Sequence, residues 1–370
     1  MPKKSTDAAA DSHAATNSAP CYLGVDIGGT KVSAGIVTAG GEILLTAKGH
    51  MNTEGSAKDG LLAVKSVVDE ILATNGKRPL SGIGVSSPGQ VNPLTGIVAN
   101  AVNLPCWCNY PLRSEMEHIY HLPVWIDNDA NAAGLAETLW GAAAGCDSVF
   151  YASIGTGIGT AIVLHKSIYH GPTGSAGEGG HMIIDYRGDV ACNCGKPGCI
   201  ESVAAGPGIA RRARVKVASN VKKGHALLDL ADGDVSAISS ESVGRGWRAG
   251  DPISTAVLME TAEMLAVWLG NIIDLFDPEV IVVGGGLGEL VSNFFGNIQA
   301  QLPKYSINHN CAAIPMRLAR YGPDSGIAGG AALCLRGSTV MEEGARSSAA
   351  STAHLPDPST LEKRTKLEAV

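Results

Sequence analysis

Apolar and polar positions alternate along this chain in two similar series, each with short strands first and helices after. Residues 22–26 and 31–37 are apolar-rich and meet across Gly28-Gly29, which predicts a β-hairpin. Gly40-Gly41 turns the chain into a third strand near 42–47. Leu61, Leu62, Val64, Val67, Val68 and Ile71 recur at helical spacing over 61–72. Residues 83–86 read as a short buried strand ending at Pro88-Gly89, 113–119 as a helix, 124–126 as a strand and the Ala-rich 130–140 as a helix. A second series begins near Ser148, with strands at 149–154 and 160–163 around a glycine turn. Residues 206–219 and 254–276 are helical by pattern, the latter through Leu265, Val267, Trp268, Ile272, Ile273 and Phe276. Residues 279–283 form a strand that stops at Gly284-Gly285-Gly286. The repeated order predicts two related α/β domains facing one another across a cleft.

Composition narrows the class. A chain of 370 residues suggests about two domains. With 45% apolar and 17% charged residues it can bury a large core without disulfides. Glycine is in excess, 47 residues against a usual ~7%, with no Gly-X-Y period. The excess is expected in turns and where backbone approaches a ligand closely. A net charge of −7 without a basic stripe argues against nucleic-acid binding. No run of about 18 apolar residues suggests a membrane span. The first 20 residues lack an apolar signal core, so a cytoplasmic protein is expected. Residues 1–20 and 337–370 are small and polar, and read as a disordered leader and a disordered tail.

Several segments carry candidate chemistry. In Asp26-Ile27-Gly28-Gly29-Thr30-Lys31, two glycines let backbone N–H groups face an anion, and Asp26 can hold Mg²⁺ or its water shell. The order is wrong for a Walker A loop, and an ordinary hairpin with a surface lysine accounts for the same residues. The turn from Gly155 through Thr156 and Gly157 to Gly159 fails the G-x-G-x-x-G pattern and does not open a helix, which argues against a Rossmann site. Gly284, Gly285 and Gly286 suit a nucleotide's sugar or base passing over bare backbone. Together the three turns favour a nucleoside triphosphate. Asp127, Asn128, Asp129 and Asn131 crowd a strand-to-helix junction. One N-cap explains one of them; a carboxylate accepting a hydroxyl proton, with asparagines orienting the substrate, explains the group. Cys192, Cys194 and Cys199 lie in a Gly/Pro turn after His181, a donor set for tetrahedral zinc. Disulfides are disfavoured for a cytosolic chain. Cys21, Cys106, Cys108, Cys146, Cys311 and Cys334 read as ordinary packed or surface residues. Glu178, in Gly177-Glu178-Gly179-Gly180-His181, can bind sugar hydroxyls, as can His181.

With these residues in order, the chain resembles the ROK family of bacterial sugar kinases and repressors. The resemblance runs from about Cys21 to Leu335 and rests on Asp-Ile-Gly-Gly-Thr-Lys, Asn-Asp-Ala-Asn, Gly-Glu-x-Gly-His and Cys-x-Cys-Gly-x-x-Gly-Cys-x-Glu. It implies an actin/hexokinase-like (ribonuclease H-like) α/β fold: a small domain of 21–133 completed by 323–336, and a large domain of 134–322 carrying the zinc segment. It implies Asp129 as general base. Asn103, Asn128, Asp129, Glu178, His181 and Glu201 match sugar-binding positions. Asp26, Gly28, Gly29, Thr30, Lys31, Thr156 and Gly157 match the phosphate and Mg²⁺ region, and Gly284, Gly285 and Gly286 the adenosine side. His181, Cys192, Cys194 and Cys199 match structural zinc ligands.

Three positions depart from the family pattern: Thr160 and Cys106 stand where glycine is usual, and Gly179 where a larger apolar residue is usual. The last predicts a looser or wider sugar loop. The implied activity is ATP-dependent phosphorylation of a hexose 6-hydroxyl, glucose first, with the segment from Asn103 to Trp107 leaning toward glucose. N-acetylglucosamine or N-acetylmannosamine kinase and fructokinase are the alternatives, and polyphosphate is an alternative donor. A sugar-responsive repressor would need a helix-turn-helix that the residues before Cys21 do not supply. The implied partners are hexose, ATP and further copies of the chain in a homodimer or homotetramer, with no nucleic acid and no membrane.

Overall fold

The computed structural model describes residues 20–100 and 103–352. The expected leader, apart from Pro20, and the tail beyond 352 lie outside the described residues. The first sheet is built from β1 (Cys21–Ile27), β2 (Lys31–Thr38), β3 (Ile43–His50), β4 (Leu80–Ser87) and the later strand β8 (Val124–Asn128). Between β4 and β8 the chain makes a small three-stranded sheet, β5 (Gln90–Asn92), β6 (Ile97–Asn100) and β7 (Cys108–Tyr110). The large sheet runs β3-β2-β1-β4-β8, antiparallel through the first three strands and parallel after.

The second half repeats this plan. Strands β9 (Ser148–Ile154), β10 (Ile158–Leu164), β11 (Ser167–Ile168), β12 (Val280–Gly284) and β13 (Met316–Leu318) order themselves β11-β10-β9-β12-β13, with the same switch from antiparallel to parallel. The chain therefore carries the two-domain α/β architecture expected of it.

Each sheet buries an apolar face under helices. Helix Ala57–Thr74 is started by a Ser56/Asp59 capping box and turns Val64, Val67, Val68 and Ile71 onto the first core, with Leu23, Val25 and Ile36. Leu62, expected on that face, is 59% exposed. Helix Pro252–Phe276 starts on the Asp251 N-cap, stops at left-handed Asp277, and centres the second core with Trp268, Leu269 and Ile273. By length and composition it would suffice to cross a membrane, but 61% of its apolar window is buried within the fold.

Two helices join the halves. Helix Asp129–Leu139 packs Ala132, Ala133, Leu135 and Ala136 on Tyr151, Ala161 and Val163 of the second sheet and on Ala328 and Ala332 of the final helix. It is continuous, so the expected boundary between 133 and 134 falls inside one rigid element. The final helix, Ser325–Thr352, lies against β1 and β4 so closely that a Cβ on Gly24 or Gly84 would overlap its Ile327 or Gly330 carbonyl. Part of the glycine excess thus serves helix–sheet packing rather than ligand approach. The same helix runs well past 336, where the sequence reading ends it. Met341, Glu342, Glu343, Ala345 and Arg346 are good helix formers, and no proline interrupts before Pro356.

Candidate active site

The parallel strands of the first sheet end in a polar row. Their register sets Asp26 beside Ser86 and Ser86 beside Asp127, all on one face. Ser86 Oγ donates to Asp26 Oδ1 at 3.4 Å. Burial first, and the neighbouring Asp129 carboxylate second, push the Asp26 carboxyl up to about 6. Lys48 opposes this from its 3.4 Å pair with Asp324.

One step beyond β8 stands Asp129, the first residue of its helix. Asn128 is the N-cap: its Oδ1 accepts from Ala130 N–H at 2.9 Å and its amide donates to Gly89 O at 3.0 Å. That bonding fixes the junction and explains the asparagine. The Asp129 carboxyl opens into a cleft lined also by Gly89, Asp127, Asn131, Thr160 and Glu178. Dense protein around it raises its proton affinity above the ordinary carboxylate range, with Glu178 acting in the same direction and the Ala130 N–H against it.

Behind Asp129, the buried Asp127 is fully engaged. Its Oδ1 accepts from Asn128 N–H at 2.7 Å and from Asn131 Nδ2 at 3.0 Å, and its Oδ2 lies 2.6 Å from His170 Nε2. His170 precedes the loop that carries Glu178, so this contact ties the first sheet to a loop of the second half. The Asp127 hydrogen bond raises the His170 pKa against the opposing effect of its partial burial.

The glycine turns divide differently from expectation. Gly28 N–H donates to Lys31 O at 2.8 Å, closing the hairpin on itself and leaving that donor engaged. Gly29 lies under Asn103: a Cβ there would stand 3.0 Å from the Asn103 carbonyl. In the second half, the turns after β9 and β12 adjoin, with a Gly155 Cβ position 3.6 Å from Gly286 N. Gly285 has φ +80 and sits against Ile154 and Ser153, while nothing lies within 4 Å of a Cβ on Gly286. Bare, open backbone is thus gathered there, beside the exposed Thr156.

The resemblance places Glu201 among the sugar ligands. Its Oε2 instead accepts from Ile158 N–H at 2.9 Å and packs under Gly157, while its Oε1 lies 3.5 Å from Cys192 Sγ and 4.0 Å from His181 Nδ1. It bridges the cysteine cluster to the second glycine turn. Trp107, at the end of the segment that leans toward glucose, is a core residue, 1% exposed, stacked on Tyr110 and donating to Ala57 O at 3.0 Å. The expectation of a loose loop at Gly179 also fails, because Thr160 ties the loop down: its hydroxyl bonds Gly177 O and accepts from Gly179 N–H at 2.8 Å.

The donor atoms of His181, Cys192, Cys194 and Cys199 all lie within 4.8 Å of one another. Cys194 and Cys199 sulfurs are 3.6 Å apart, and Cys192 Sγ is 3.5 Å from His181 Nδ1. Sulfurs on tetrahedral zinc stand about 3.8 Å apart, whereas a disulfide brings them to about 2.05 Å. Burial pushes the Cys192 thiol up to about 12 and raises Cys199. A divalent metal would offset that cost, and the four donors fit one.

The structure therefore brings Asp129, Asn128 and Glu178 to one cleft, and gathers the metal donors at a neighbouring site. Asp26 is close enough to Asp129 to couple with it. His170 and Thr160 were missed as site residues. Thr160 was visible as a departure from a glycine pattern; His170 carries no local signal.

Comparison with known proteins agrees with this geometry. The ROK family profile matches residues 22–336. A glucokinase of Halalkalibacterium halodurans is 33% identical over 325 residues, 87% of this chain and 97% of that protein. A xylose repressor of Caldicellulosiruptor bescii is 30% identical over 292 residues, 77% of this chain and 69% of the repressor. The crystal structure of a ROK family glucokinase from Streptomyces griseus, in complex with glucose and AMPPNP, superposes with a TM-score of 0.73 at 31% identity, covering 85% of this chain and 98% of that one. The chain belongs to the ROK family.

Proposed function

We propose that this chain is an ATP-dependent sugar kinase that phosphorylates the 6-hydroxyl of glucose, with Asp129 as general base. The carrying observation is Asp129 itself. It is a carboxylate held at a helix start, facing the cleft opposite Glu178, with its proton affinity raised. Such a group takes the proton of a hydroxyl as that oxygen attacks a phosphoryl group. Asn128 and Asp127 hold its helix start in place, and Glu178 and Asn103 meet the sugar's other hydroxyls. The glucokinase relatives and the glucose complex favour glucose as the acceptor.

Asp26 fits an Mg²⁺ or water-shell ligand. It accepts one long bond from Ser86 while Asp129 and Asp324 crowd it with like charge, which a divalent cation would relieve. Mg²⁺ bound with ATP neutralises charge on the transferred phosphoryl group. The open backbone at Gly286 and Thr156 suits the nucleotide. We assign zinc to His181, Cys192, Cys194 and Cys199, where it fixes the His181 ring beside the Glu178 loop.

The test is ADP release with Mg-ATP against glucose, mannose, fructose, N-acetylglucosamine and N-acetylmannosamine. Glucose should give the highest kcat/KM. Turnover of none of these sugars would sink the kinase reading, and a preference for an N-acetyl sugar would reassign the acceptor.

A further inference from the structure

We infer that Thr160 is a positioning residue for sugar recognition, acting through the two peptide groups that flank Glu178; the inference rests on the sugar-kinase reading. Thr160 lies on β10, 6% exposed, at the wall of the cleft. Its hydroxyl donates to Gly177 O and accepts from Gly179 N–H at 2.8 Å, so one side chain grips the backbone on both sides of Glu178. Two carbonyls of this turn are also engaged. Glu178 O accepts from His181 N–H at 3.1 Å, and Gly179 O accepts from the buried Trp268 Nε1 at 2.9 Å. Trp268 is itself packed edge-on against Phe150. Glu178 thus projects into the cleft from a turn with little freedom left.

The same contact explains two departures together. A Cβ on residue 179 would stand 3.0 Å from Thr160 Oγ1 and 3.5 Å from Phe150. The hydroxyl of Thr160 fills the space that a larger side chain at 179 would need. The threonine and the glycine are therefore one exchange of volume between strand and loop, and the exchange adds two hydrogen bonds that a glycine at 160 cannot make. A buried hydroxyl bonding on both sides is worth roughly a factor of ten in an equilibrium when removed.

Kinetics of the full-length enzyme with glucose and Mg-ATP test this. Thr160→Val keeps the shape and β-branching but removes the hydroxyl. It should raise the glucose KM about tenfold, with kcat and the ATP KM within about twofold. Thr160→Ser should restore the glucose KM to within about twofold of the parent. Gly179→Ala should raise the glucose KM in the parent and have a smaller effect when combined with Thr160→Gly, since the clashing hydroxyl is gone. An unchanged glucose KM in Thr160→Val overturns the inference, as does a Thr160→Ser enzyme as impaired as Thr160→Val. So does an equal Gly179→Ala effect in both backgrounds. Absence of sugar phosphorylation by the parent protein would instead overturn the reading on which the inference rests.

Discussion

The two sheets share one strand order but end in opposite chemistry. β1 and β9 are each seven residues long and each ends in Ile with Gly following, yet the residue before that pair is Asp26 in the first and Ser153 in the second. The register partner of Asp26 on the next strand is Ser86, and that of Ser153 is Gly284. The third strand adds Asp127, whereas in the second sheet the space over Gly284 is taken by Tyr151 and Ala319. A repeated topology has thus become a charged edge facing an uncharged one. The charged edge suits metal and proton transfer, and the bare edge suits a nucleotide held by backbone. The fold supplies the row of strand ends twice over, and the residues at those ends differ.

The largest expected effect falls on the charged edge. Asp129→Asn should lower kcat by about 10²–10⁴-fold while the fold is no less stable than the parent and metal content stays at the parent level. Because the dense protein around the carboxyl raises its proton affinity, activity in the parent should fall with acid at a pH above the ordinary carboxylate value of about 3.9. Near-normal turnover in the variant would break the division between the edges. So would comparable damage from Ser153→Ala, at the place on the bare edge that corresponds to Asp26.

The cysteine cluster should come next. It supports the bare edge through Glu201, which reaches from Cys192 to the Ile158 N–H. About one zinc per chain is expected, falling well below that in Cys194→Ser, with kcat/KM for sugar down roughly 10–100-fold. Elemental analysis and kinetics on one preparation decide it. A metal-free protein of full activity would remove the metal from the account.

Asp26 separates function from stability. Its carboxyl titrates near 3.9 when unfolded and near about 6 when folded, so the unfolded chain loses this proton first as pH rises. Stability therefore declines between those values, and the cost is complete above the folded value. Asp26→Asn should be catalytically poor yet more stable than the parent above pH ~6, by up to about 3 kcal/mol without Mg²⁺. The gain should vanish below pH ~4. Urea unfolding at both extremes checks the sign, and a variant less stable than its parent at neutral pH would contradict it.

What could be read from sequence follows from distance along the chain. Asp129 and its capping Asn128 are adjacent, and the three cysteines lie within one turn, so local chemistry announced them. The hairpins and the long helices declared themselves by period. Glu201 is 43 residues from its partner Ile158, and nothing near it in sequence shows that its carboxylate turns toward a backbone N–H. Glu137 is similar. It is 1% exposed and accepts from Arg320 and Tyr321 N–H at 2.8 and 3.0 Å, holding the lead into the final helix from over 180 residues away. Gly24 and Gly84 fall inside predicted strands, and their partner is a helix backbone that no local pattern reveals.

The smallest expected effect lies where the charged edge meets the second half, at His170 and Asp127. Their 2.6 Å contact spans 43 residues and joins the edge to the loop carrying Glu178. The Asp127 hydrogen bond raises the His170 pKa above its unfolded value near 6.5. The stability this supplies is therefore fully present below about pH 6.5 and is lost as pH rises through the folded value. The imidazole keeps 28% of its surface exposed, so solvent screening holds the contribution to about 1 kcal/mol or less. His170→Gln can still donate to Asp127 but cannot carry charge. It should be destabilised at pH 6 and nearly equal to the parent at pH 9, with glucose KM changed only a few-fold. A difference of the same size at both pH values would mean that the neutral hydrogen bond alone joins the two halves here, and that the charge of the first sheet stops at its own edge.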